Sequence, residues 1–181
     1  MVQKTSPLRA RLRRLTNVHY LIALASIGQL VIFDAGKLIP PEVVLQRWIA
    51  TGIYIGLVTV IWYVSRNRSG QESTLKKLLA SMVAIDIAFA SFAVYTQRGM
   101  ASRAVALYAI AIVVAAAINR RSALVASAAL SAIAYVTTCV AYFVLHFNEG
   151  YKLELYGETG FYAVCMILFA LTLWSVVKPE K

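Results

Sequence analysis

One ionisable side chain interrupts an otherwise apolar run. Residues 76–95, KKLLASMVAIDIAFASFAVY, carry Asp86 about ten positions beyond their first lysine. At ~1.5 Å per helical residue that is roughly 15 Å deep, close to the midplane of a hydrocarbon core about 30 Å thick. A carboxyl group there costs roughly 2.5–3.5 kcal/mol on insertion scales, so it should face the protein interior and find a partner. The partners on offer are hydroxyls: Tyr54, Thr59, Tyr108, Ser127, Ser131, Tyr135, Thr137 and Thr138 all fall in apolar stretches. With Ala123, the residues Ser127, Ser131 and Tyr135 recur every fourth position and so share one helix face. Two chemistries fit: a polar centre that binds a solute or moves a proton, and a packing seam of small and polar residues anchored by Asp86.

Residue type and placement argue against covalent and metal chemistry. An intramembrane serine protease needs a His base beside its Ser, but His19 and His146 are expected at opposite faces of the membrane. His19 reads as an interfacial or interhelical hydrogen-bonding residue. The His-Glu-x-x-His zinc motif, a phosphate-binding Gly-rich loop and a Cys-x-x-Cys pair are absent. No enzyme activity, metal or cofactor is therefore expected. Cys139 and Cys165 fall in apolar stretches, where free thiols act as small hydrophobes; a disulfide between them is the weaker alternative.

The elements that would position Asp86 are membrane helices. Of 181 residues, 60% are hydrophobic, and the mean hydropathy is +0.70, against roughly 45–50% apolar in soluble domains. The first apolar stretch is too long for a signal-peptide core and lacks a small-residue cleavage site, so it is expected to remain as a helix. Six spans are expected, at about 15–33, 48–64, 76–95, 103–118, 122–145 and 160–177, following a basic arm at 1–14 and ending one transmembrane domain near 178. Pro40-Pro41 excludes a continuous helix between the first two, with 43–48 expected along the membrane surface. Gly52 and Gly56 form a GxxxG pattern, which brings two helix backbones close, within one chain or between copies in a homodimer.

Charge placement orients the spans. The net charge is +10. With the amino terminus inside, most Lys and Arg fall in the arm, the 65–77 linker, the Arg120-Arg121 turn and the tail; only Lys37, Arg47, Arg98, Arg103 and Lys152 fall outside. Asp34, Glu42, Glu149, Glu154 and Glu158 lie on the outer side. This is the positive-inside pattern, and it accounts for the basic charge without a nucleic-acid partner. The arm is attracted to anionic headgroups of the bilayer. The expected fold class is therefore all-α: a polytopic membrane bundle of six transmembrane helices with both termini cytoplasmic.

Within residues 75–142 a series of features follows in order. Asp86 lies on a helix ending at Tyr95, and a turn with Gly99 and Ser102 follows. A helix with an early Tyr108 comes next, then the basic turn Arg120-Arg121, and last an Ala/Ser-rich helix with Ser131 and Tyr135. This series resembles the six-helix membrane input domain of bacterial sensor histidine kinases of the type IV pilus-sensor kind. The family's turn has paired glycines where this chain has Gln97-Arg98-Gly99, and the kinase's phosphoacceptor and ATP-binding motifs are not among these residues. The resemblance implies a sensor in the bacterial inner membrane, working through a cytoplasmic partner or a kinase beyond residue 181. Asp86, Tyr95, Tyr108, Ser127, Ser131 and Tyr135 would then be its ligand-binding and signalling residues.

Two other expectations stand beside it. In size and topology the chain also resembles the substrate-binding subunits of energy-coupling vitamin transporters, with Ala23, Ala25 and Ser26 of the first helix as docking residues. The third is a structural membrane protein in which Asp86 only organises packing.

Overall fold

The computed structural model describes residues 7–67, 72–146 and 153–176. Lys4 of the basic arm, the middle of the basic linker, residues 147–152 of the acidic loop with Glu149 and Lys152, and the tail after 176 lie outside the described residues. The described chain is all-helical: α1 (Pro7–Ala35), α2 (Pro41–Asn67), α3 (Glu72–Thr96), α4 (Tyr108–Ala116), α5 (Arg121–His146) and α6 (Leu153–Val176). Five of these are long and apolar enough to cross a membrane. Their large apolar residues face outward, among them Leu21 and Leu24 of α1, Ile53 and Val60 of α2, Ile133 and Val144 of α5, and Phe161 and Leu168 of α6. Apolar surface on that scale is stable only against lipid or another protein, and this is the pattern of a multi-pass membrane protein.

The chain divides into two compact units, residues 1–82 and 83–181. In the first, α1 starts at Pro7, so most of the expected arm is helical. The α1 stripe Leu12, Thr16, His19, Ala23 and Leu30 is buried. The helix stops at a Schellman-type turn, in which the Leu38 N–H donates to the Phe33 carbonyl at 3.0 Å. Lys37 takes the left-handed position at φ 49°, and Pro41 opens α2 at the position where a missing N–H costs nothing. Because Pro41 is a helix-starting residue, residues 43–48 join α2 as one continuous helix instead of lying along the surface as expected. α1 and α2 run antiparallel: Tyr20 and Thr59 hydroxyls meet at 3.0 Å, and the Arg47 guanidinium lies 5.7 Å from the Phe33 ring centroid. His19 is fully buried, donates from Nδ1 to the Leu15 carbonyl at 2.7 Å and stacks on Tyr54. Gly52 and Gly56 face away from α1, and a Cβ added at either meets nothing within 4 Å.

In the second unit the remainder of α3 joins α4, α5 and α6. α4 and α5 run antiparallel, as shown by Tyr108 with Tyr135 and Ala111 with Ser127, and so do α5 and α6, as shown by Tyr135 with Tyr162 and the Arg121 guanidinium over the Trp174 ring at 5.1 Å; α3 meets α4 where Ser91 bonds Tyr108. The expected fourth span at 103–118 is shorter than read. Ser102 accepts from the Ala104 N–H at 3.0 Å, which nucleates a 3-10 segment at Arg103–Leu107 before nine α-helical residues. Tyr108, Ala111, Ile112, Val114 and Ala115 are buried around its circumference, as befits a helix that is apolar on all sides. Before it, Arg98 and Gly99 are both left-handed, at φ 74° and 62°. Gly99 packs so closely on Tyr142 that a Cβ there would lie 3.1 Å from the ring. Cys139 and Cys165 are free thiols.

Candidate functional site

The polar stripe predicted on α5 is buried at the centre of residues 83–181. Ser127, Ser131, Tyr135 and Cys139 follow one another at intervals of four and all lie inside the bundle. The small residues between them, Ala128 and Ala132, belong to the same core and let the neighbouring helices approach. At one end of the stripe the Ser127 hydroxyl donates to the Ala111 carbonyl of α4 at 3.1 Å. That bond uses a carbonyl already serving its own helix and ties α5 to the middle of α4.

Tyr108, the first residue of α4, is 0% exposed. Its hydroxyl lies 2.7 Å from the Ser91 hydroxyl of α3, and the Thr138 side chain is a second polar neighbour. Ser91 also donates to the Ile87 carbonyl at 2.8 Å, so its proton is committed there and Tyr108 is the donor between the two hydroxyls. The Tyr108 ring meets the Tyr135 ring edge to face at 5.9 Å, and Tyr135 meets Tyr162 of α6 in the same manner at 6.1 Å. A ladder of three tyrosines therefore links α4, α5 and α6, with α3 attached through Ser91.

Two hydroxyls in this ladder differ from the rest. Ser131 Oγ and Tyr135 OH are buried and meet no hydrogen-bonding geometry among the described residues. The Tyr135 hydroxyl interacts with the Cys139 thiol one turn further along α5, and thiols are weak partners. Leaving a buried hydroxyl unsatisfied costs about 1–3 kcal/mol. Both groups lie in the buried core of the bundle, one turn apart on α5.

Of the six expected site residues, Tyr108, Ser127, Ser131 and Tyr135 are brought together here. Asp86 is 4% exposed and occupies the same buried stripe of α3 as Ala90 and Val94, five residues before Ser91. Tyr95 stands apart. It belongs to an aromatic group at the far end of α3, edge-on to Tyr142 and to His146, which stack on each other at 4.3 Å. His146 Nδ1 donates to the Tyr142 carbonyl at 2.9 Å. Ser91, Cys139 and Tyr162 complete the cluster without having been anticipated. Ser91 was the most legible of them, being a polar residue in the same apolar run as Asp86.

The groups assembled are hydroxyls, a thiol and one carboxyl on the adjoining stripe. Among the described residues no group of three or more His, Cys, Asp or Glu side chains could hold a metal ion. The arrangement gathers hydrogen-bonding groups inside an apolar surround. No protein-family model, curated protein or solved structure matches the chain.

Proposed function

We propose that the chain is a membrane receptor module, with six crossings and both termini cytoplasmic, that binds a small polar solute in the bundle of residues 83–181. The observation that carries this reading is the pair of unsatisfied hydroxyls, Ser131 Oγ and Tyr135 OH, in the buried core. A solute bonding to both would relieve the cost of burying them. It would act on Tyr135, which touches Tyr108 at the junction between the 3-10 and α segments, and Tyr162 of α6. The bound state would pass along α6 to the end carrying Trp174, and so to a cytoplasmic kinase or other partner. The solute shifts this equilibrium only by its differential affinity for the two packings. The left-handed Arg98-Gly99 turn supports the resemblance to pilus-sensor-type input domains, since paired glycines adopt that conformation without strain. The outward Gly52/Gly56 face of α2 is the surface proposed for a second copy.

The test is a thermal-stability screen of the reconstituted protein against amino acids, vitamins and other small polar metabolites. A solute that raises the midpoint of the wild type, but not of Ser131→Ala or Tyr135→Phe, supports the site. A solute acting equally on all three binds elsewhere, and a panel with no active solute counts against the reading. Spin labels at Ser122 and Ser175, exposed at the end shared by α5 and α6, then separate two kinds of receptor. A change in their separation on binding supports signalling. Binding without a change favours a transporter's solute-binding subunit.

A further inference from the structure

In residues 1–82 a cavity of about 260 Å³ lies between the start of α1 and the end of α2, lined by Arg9, Arg13, Trp62, Ser65 and Arg66. Arg9 and Arg13 are one turn apart and continue the face of α1 that buries Leu12 and Thr16, so both are aimed toward α2. Arg11 and Arg14 point elsewhere and are exposed. The Arg66 guanidinium lies 5.3 Å from the Trp62 ring centroid, which fixes its direction. No acidic side chain lines the cavity among the described residues. We infer that this is a binding site for one phosphate group at headgroup depth, held by Arg9, Arg13 and Arg66.

The chemistry selects phosphate on three counts. Guanidinium groups present paired N–H donors that match phosphate oxygens bidentately. Trp62 at the end of α2 is the kind of residue enriched where hydrocarbon meets headgroups. The volume falls below the roughly 300–1,000 Å³ of pockets that enclose drug-sized molecules, and it suits a phosphate with a few attached atoms. Ser65 adds a detail. Its hydroxyl donates to the Trp62 carbonyl at 2.7 Å, so toward the cavity it offers only lone pairs. The group next to the phosphate should therefore be a hydrogen-bond donor, as the glycerol hydroxyls of phosphatidylglycerol are.

The experiment measures binding of phosphatidylglycerol to the detergent-purified full chain by native mass spectrometry. Phosphatidylcholine, glycerol 3-phosphate and inorganic phosphate are run as parallel probes. Arg9→Gln, Arg13→Gln and Arg66→Gln should each weaken phosphatidylglycerol binding about tenfold, and Arg11→Gln and Arg14→Gln less than twofold. Arg13 and Arg66 are exposed, so their variants carry the test if Arg9→Gln fails to fold. Displacement of the lipid by millimolar glycerol 3-phosphate or inorganic phosphate, with the same variant pattern, keeps the site and makes its occupant a soluble phosphate. Equal weakening by all five variants would mean diffuse charge attraction and would overturn the inference. So would equal binding of phosphatidylcholine, or no binding of any probe.

Discussion

Tyr135→Phe and Tyr108→Phe make the same chemical change on two rings in edge-to-face contact, and they should move stability in opposite directions. The Tyr108 hydroxyl bonds Ser91 at 2.7 Å. Its removal should cost about 0.5–1.5 kcal/mol, toward the lower end because side-chain hydrogen bonds in membrane proteins average about 0.6 kcal/mol. The Tyr135 hydroxyl makes no geometric hydrogen bond among the described residues and has only the weak Cys139 thiol beside it. Phenylalanine keeps the ring contacts with Tyr108 and Tyr162 and removes a desolvated group whose burial costs about 1–3 kcal/mol. Solute-free Tyr135→Phe should therefore gain about 1 kcal/mol. The two variants should differ by ~2 kcal/mol, roughly 30-fold in the unfolding equilibrium. Reversible unfolding in mixed micelles, after exhaustive detergent exchange to remove bound solute, measures both. If Tyr135→Phe loses as much stability as Tyr108→Phe, its hydroxyl is a structural bond within the bundle, and the binding role assigned to it is refuted.

The other predictions concern the turn, the acid and the outward glycines. Gly99→Ala should destabilise by about 1–2 kcal/mol, because it places a Cβ at left-handed φ and against Tyr142. Arg98→Gly, at φ 74°, should gain up to about 1 kcal/mol by relieving strain; both are read in the same unfolding assay, and the reverse order of stabilities would contradict the turn geometry. Asp86→Asn should fold and still bind solute, but lose the separation change between labels at Ser122 and Ser175; an unaltered change removes Asp86 from the signalling path. Gly52→Leu with Gly56→Leu should leave monomer stability within about 0.5 kcal/mol, since nothing lies near either position. Single-molecule photobleaching in liposomes should show the loss of any dimer, and an unaffected dimer would place the contact on another face.

Helices were legible in this chain wherever apolar length alone decides. Pro40-Pro41 separated α1 from α2, and the four-residue spacing of Ser127, Ser131 and Tyr135 on one face of α5 survived into the buried cluster. The 103–118 segment misled because alanine-rich sequence does not distinguish 3-10 from α geometry. The deciding bond is a local one from Ser102, a serine that also reads as an ordinary turn residue. The resemblance groups Tyr95 with Asp86 as a site residue, yet nine residues along α3 separate the two by ~13 Å. His19 was read as interfacial or interhelical; it is stacked on Tyr54 across the α1–α2 pair. Ser91 and Tyr162 were missed because pairing between helices depends on their rotation, which a single sequence leaves open.

The brevity of α4 bears on how the chain is made. Nine α-helical residues after five 3-10 residues extend only ~24 Å, less than the roughly 30 Å of hydrocarbon. A segment that short is a poor stop-transfer signal, and its last carbonyls accept from the N–H groups of its own closing turn at Ala117, Ile118 and Asn119. α4 should thus leave the translocon only when α3 and α5 accompany it. With α4 as one of the proposed crossings, ribosomes arrested before α5 emerges would hold it in the channel or on the far side of the membrane, making the 83–181 bundle a late and collective event in biogenesis.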